Sequence, residues 1–152
     1  MKSRYLSYLL VSLIAFFSVI SVLLPFIEFN VNFETIDFGF WCANSERGDY
    51  IIRTQQEWDD LCQKTCRSSS EAPDIDFSSN VVLAVFMGEQ PTDGFRIEIT
   101  KIGENGAERR IYIRETIPGG LLAAIISYPY HIVKLHRIPK PIVFIHTLED
   151  YS

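Results

Sequence analysis

What this chain of 152 residues lacks narrows its chemistry first. It holds three histidines and three cysteines. His131 and His136 stand an odd number of positions apart on one predicted strand, so they face opposite sides and cannot share a metal ion. His146 lies in an apolar run and reads as a core or edge histidine. No Gly-x-Ser-x-Gly elbow occurs, and Ser68 to Ser70 sit in a predicted loop without a base. A phosphate loop is missing too. The spacing of Gly88 and Gly94 is wrong for one, no Lys-Ser/Thr follows, and Phe95 opens a strand where an anion would need a helix amino terminus. Asp59-Asp60 and Asp74 with Asp76 read as a solvated helix face and a turn. The expectation is a chain with no catalytic residue, no metal and no cofactor; a small exported enzyme of other chemistry is the weaker alternative.

Positive charge is scarce as well. Residues 1–27 contain two of the 14 basic residues and none of the 19 acidic ones, which leaves 12 − 19 = −7 for residues 28–152. Phosphate groups are gripped by clustered Lys and Arg, so a domain this acidic is a poor candidate for nucleic acid or for anionic lipid, and no nucleic-acid partner is expected. Arg109-Arg110, the one basic doublet, is expected on the solvent face of a strand.

What is present begins with Leu6 to Ile27, an uncharged run of 22 residues. As a helix it would measure roughly 33 Å, about one hydrocarbon core. Lys2 and Arg4 precede it and Glu28, Glu34 and Asp37 follow, which leaves the amino terminus in the cytoplasm and exports the rest. A signal-anchor helix through residues 6–27 is one reading. A cleaved signal peptide, with Val19 and Ser21 before the cut, is the other. No cysteine is near enough for a lipid anchor. The expected organisation is an anchor or signal peptide over 1–27, a juxtamembrane stretch and first strand over 28–49, and one domain over 50–152. The protein is thus expected at the cell membrane, single-pass, with its C-terminal domain extracytoplasmic.

Periodicity predicts the rest. Strands are expected at Thr35–Trp41 and Tyr50–Arg53. Thr54-Gln-Gln-Glu57 has capping-box spacing, and Trp58, Leu61, Cys62 and Thr65 share one face of the helix it starts. Val81–Met87 is apolar on both faces, as in a central strand. Phe95, Ile97 and Ile99 alternate with polar residues, Gly103-Glu-Asn-Gly106 turns the chain, and Ile111 and Ile113 alternate on the return. Further strands are expected near Ala124–Leu135, at an edge because of Pro129, and Ile142–His146. The fold class is α+β, a mainly antiparallel sheet with one packed helix behind the N-terminal helix. In an exported domain the cysteines predict a disulfide. Cys62 and Cys66 are poorly placed to bridge each other on one helix, which leaves Cys42 to pair with either.

Five segments occur in one order: Ile52-Arg-Thr-Gln-Gln-Glu-Trp58, Asp76-Phe-Ser-Ser-Asn-Val-Val82, Gly88-Glu-Gln-Pro-Thr-Asp-Gly-Phe95, Pro118-Gly-Gly120 and Tyr128-Pro-Tyr-His-Ile-Val133. Together they resemble the PrcB C-terminal domain family over roughly residues 50 to 147. The resemblance implies an exported, non-catalytic, protein-binding domain that stabilises or modulates a surface protease. The family's namesake is held by a lipid, whereas here the anchor is read as a helix. A narrower similarity links Gln90-Pro-Thr-Asp-Gly-Phe95 to the cleft-entering loop of chagasin-like peptidase inhibitors. That alternative requires Pro118-Gly-Gly120 and Pro139-Lys-Pro141 to lie beside it at one end of the sheet.

The candidate protein-binding residues are Gln90, Pro91, Thr92, Asp93, Gly94, Phe95, Pro118, Gly119, Gly120, Tyr128, Pro129 and Tyr130. Pro91 stiffens the first stretch, Asp93 can close a turn, and Gly94 accepts a left-handed backbone. A stiff loop on a sheet loses little entropy on docking, and aromatic side chains anchor interfaces.

Overall fold

The computed structural model describes residues 2–23, 27–65, 73–120 and 123–151. They form α1 (Lys2–Leu23), β1 (Phe29–Asn30), β2 (Glu34–Gly39), β3 (Gly48–Ile52), α2 (Gln55–Lys64), β4 (Asn80–Phe86), β5 (Arg96–Glu104), β6 (Arg109–Ile117), β7 (Tyr130–His136) and β8 (Ile142–Asp150). Of the side chains of α1, Tyr5, Tyr8, residues 11–18 and Ile20 are described. Among the described residues no helix is long and apolar enough to cross a membrane.

The expected single sheet is in fact two, ordered β1-β5-β6-β8 and β2-β7-β4-β3. Pairing is antiparallel except between β6 and β8, which run parallel. Residues 28–49 supply β1 to one sheet and β2 to the other, so they build the domain rather than merely lead to it.

Three layers result, and β4 shows why. Val82, Ala84 and Phe86 pack with Trp58, Leu61 and Cys62 of α2, whereas Val81, Leu83 and Val85 pack with Ile97, Ile99, Ile111 and Ile113 of the facing sheet. A strand covered on both faces must be apolar at successive positions, as Val81–Met87 is. The capping box forms as expected. Thr54 Oγ1 accepts from the Glu57 N–H at 3.2 Å, and the Glu57 carboxylate accepts from the Thr54 N–H at 3.1 Å. Such a cap contributes about 1 kcal/mol, and burying Trp58 and Leu61 about 2 kcal/mol each, so packing holds this short helix more than its cap does.

Three expectations need correction. β7 starts after Pro129, not at Ala124, and lies inside its sheet between β2 and β4 rather than at an edge. The Pro129 carbonyl accepts from the Met87 N–H, and the Met87 carbonyl, which Pro129 has no N–H to serve, accepts instead from Gln90 Nε2 at 3.1 Å. Arg109 is buried instead of solvated. Its guanidinium donates to Glu104 Oε2 at 2.7 Å and to the His136 carbonyl at 2.7 Å, which supplies the partners a buried charge requires. Finally, no disulfide is present among the described residues. The Cys42 thiol donates to the Asn44 carbonyl at 3.2 Å, with the Tyr128 carbonyl at 3.6 Å, while Cys62 packs under α2. Cys66 lies outside the described residues.

Candidate functional site

The stretch after β4 is held by backbone and not by its own aspartate. Gly88 has φ +78°, and a Cβ there would stand 3.0 Å from the Arg47 amide nitrogen, so only glycine lets the two segments approach. Gln90 and Ser127 exchange N–H···O bonds of 2.8 and 3.0 Å as an isolated antiparallel bridge. Ser127 Oγ donates to the Thr92 carbonyl at 2.8 Å, which closes the loop from the other side. Gly94, at φ +87°, takes the left-handed conformation expected of it. Pro91, Asp93 and Gly94 are exposed, whereas Thr92 and Phe95 are half-buried.

Pro118, Gly119 and Gly120 follow β6. The register Arg96↔Thr116 places them at the same end as Gln90–Phe95. Pro139–Pro141 precedes β8, and Arg109↔Ile142 puts it at the opposite end. The chagasin-like arrangement therefore fails. An inhibitor presenting three loops needs them together, and the parallel β6–β8 pairing separates them by the length of a strand.

The Tyr128–Tyr130 segment divides. Pro129 is buried, and Tyr130 stacks on Phe86 with ring centroids 6.0 Å apart while its hydroxyl donates to Asp37 Oδ2 at 3.0 Å. Both are packing residues. Tyr128 stays half-buried and its hydroxyl reaches Glu89 at 3.2 Å; burial, then that carboxylate, raises its pKa.

Beside this end lies a groove of about 410 Å³ between the outer edges of β2 and β5. β1 and the Val31 N–H cover β5 only from Ile102 to Glu104, so its edge from Arg96 onward borders the groove. The walls include Phe33, Phe38 and Phe40. Phe38 is 69% and neighbouring Trp41 60% exposed. The Arg96 guanidinium lies over the Phe40 ring, 5.5 Å from its centroid, and forms no ion pair among the described residues. Glu98, which also lines the groove, is taken by Arg114 at 2.9 Å.

The floor of the groove is His131. β5 carries a bulge between Ile99 and Lys101, and the Ile99 N–H donates to His131 Nδ1 at 2.9 Å. Nδ1 accepts, so the proton is on Nε2, which donates to Thr35 Oγ1 at 3.0 Å. The ring is neutral, and burial lowers its pKa further. One side chain thus ties β7 to β2 and β5, and both of its nitrogens are occupied by that task.

At the other seam Arg47, Glu115, His146 and Asp49 form a chain. His146 Nδ1 meets Glu115 at 2.5 Å and Nε2 meets Asp49 at 2.8 Å, while Arg47 binds both oxygens of Glu115. Burial pushes the Glu115 carboxyl up, but the hydrogen bonds from Arg47 and His146 outweigh it and hold the group below its usual range.

With this geometry in place, residues 81–136 match the family model described as PrcB C-terminal. That segment is similar to the PrcB C-terminal family. The PrcB C-terminal match runs from β4 through β7, and so includes the Gln90–Phe95 and Pro118–Gly120 loops, Arg96 and His131. No curated protein and no solved structure matches the chain.

The groove residues escaped the sequence reading because they come from β2, β5 and β7, strands far apart in the chain. The aromatic cluster Phe38-Gly-Phe-Trp41 was a signal for it, since a strand that buried all three rings would need cover on both faces.

Proposed function

We propose that this chain is a non-catalytic protein-binding domain, held outside the cytoplasmic membrane by its N-terminal segment, with a surface protease as the leading partner. The observation that carries this reading is the groove beside the Gln90–Phe95 loop. An exposed Phe38 and an Arg96 stacked on Phe40 offer an apolar contact and a positive charge with no carboxylate of its own among the described residues. Aromatic and Arg side chains are the residue types that anchor protein interfaces. The PrcB C-terminal match supports the same class of function. The non-catalytic reading is favoured by the occupation of His131, the only histidine at the groove, in holding three strands together. The anchor reading rests on the uncharged run Leu6–Ile27, which overlaps α1 from Leu6 to Leu23.

Affinity capture from native membrane extracts with the full-length, detergent-solubilised chain tests it. A peptidase retained by the wild type and lost with Arg96→Glu and Thr92→Arg, both folded by circular dichroism, is the expected result. Retention of the same proteins by wild type and both variants would remove this end of the molecule from consideration.

A further inference from the structure

The path of the chain out of α1 selects one end of the domain. α1 ends at Leu23, and five residues on, Glu28 is already docked. Its carboxylate accepts from Lys101 Nζ at 2.5 Å and Tyr112 Oη at 2.7 Å, with Arg110 at 3.6 Å. The seat exists because residue 103 is glycine: a Cβ there would stand 2.2 Å from Glu28 Cδ. Phe29 and Asn30 then pair with Glu104 and Gly103. Five residues extend at most about 18 Å, so the β5–β6 turn end lies close to the last turn of α1.

The same end has a charge that suits a particular surface. A polar groove of about 360 Å³ is lined by Arg53, Arg137 and Lys140 together with Ser78, Ile138 and Pro139, and by no carboxylate. Lys140 links it directly to the turn, donating to the Asn105 carbonyl at 2.7 Å and pairing with Glu104 Oε1 at 2.8 Å, which leaves Arg53 and Arg137 as the cations of the groove. An acidic domain would be repelled by anionic lipid at most of its surface; here Arg53 and Arg137 offer positive charge.

Resting on the reading of α1 as a membrane anchor, we propose that the β5–β6 turn end and its basic groove lie against the anionic headgroup surface of the bilayer. The Gln90–Phe95 and Pro118–Gly120 loops then stand at the far end, roughly 27 Å further out along β6. The Glu28 clamp removes the swivel that a flexible linker would allow, so the binding loops are presented outward and not turned toward lipid.

The test uses the full-length chain in phosphatidylcholine vesicles, with and without phosphatidylserine, containing nitroxide-headgroup lipid. Flotation with the vesicles reads the anchor by itself. A fluorophore encoded at Ala107, in the turn, is expected to be quenched severalfold more than one at Asp93, and the contrast weakens without phosphatidylserine. Glu28→Lys floats as before and loses the contrast. Equal quenching at the two sites in floating protein, or a contrast that survives Glu28→Lys, overturns the orientation and leaves the anchor standing. A contrast indifferent to phosphatidylserine removes the groove from the proposal. Protein that does not float removes the anchor reading and the orientation with it.

Discussion

Along one seam of the sandwich, where β2 faces β5, His131 joins the sheets as a neutral ring bonded to a backbone amide and a threonine hydroxyl. Along the other, where β3 faces β8, His146 joins them from between two carboxylates, one of which is also held by Arg47. The Arg47–Glu115 ion pair anchors the second seam, so it is built from charged groups and the first from neutral hydrogen bonds. The difference bears on function. The charged seam saturates its own groups and leaves little to offer a partner. The neutral seam spends one histidine on closure and leaves a strand edge, three phenylalanines and a guanidinium stacked on Phe40 facing the groove.

The comparison breaks most sharply at Glu115. Replacing it by alanine takes the partner from Arg47, whose half-exposed side chain keeps water, and one carboxylate from His146, a loss of about 2 kcal/mol. Thermal unfolding should fall by roughly 6 °C; a fall no larger than that of an exposed Glu98→Ala control would show that the charged seam contributes little. Next comes His131→Ala, which leaves the Ile99 N–H without its acceptor and opens space between the sheets. About 2 kcal/mol is expected from denaturant midpoints, with partial recovery in His131→Gln, whose amide oxygen can accept again.

Acid separates the seams by the pH at which each fails. The folded-state pKa of His131 is lowered, so the unfolded chain binds its proton first, and that share of stability is lost as pH falls below the histidine value of 6.5. The pKa of the Glu115 carboxyl is also lowered, and its share persists down to the ordinary carboxylate value of 4.5 before it is lost. Wild-type stability should therefore decline in two stages between neutral pH and acid. In His131→Gln the upper stage should be absent; if it persists unchanged, His131 is not its source. The smallest effect is at Phe38. Phe38→Ser exposes no core and should change stability by less than about 0.5 kcal/mol, while weakening whatever binds the groove. A large loss of stability would mean that the ring is structural.

Much of this molecule was legible in one dimension. The capping box at Thr54–Glu57, the buried face Trp58–Leu61–Cys62 and the two-sided burial of Val81–Met87 follow from spacings of three, four and one, which local geometry enforces wherever the chain goes. The left-handed Gly94 and the β5–β6 turn are equally local. The candidate loops were read only in part. Gln90–Phe95 and Pro118–Gly120 do meet at one end, but Pro129 and Tyr130 pack inward, and Arg109 is buried by Glu104 and a carbonyl that arrives from β7.

By itself, then, the sequence determined α2, most of the strand positions, the acidic balance of residues 28–152 and the absence of familiar catalytic motifs, because each depends on neighbours within a few residues. Only the tertiary structure decided that the strands divide into two sheets, that β8 runs parallel to β6 and so carries Pro139–Pro141 to the opposite end, and that Phe38, Phe40, Arg96 and His131 share one groove. The reason is physical. Alternation says which side of a strand is buried but not which strand lies next to it, and a groove made by two strand edges exists only once those edges have been brought together.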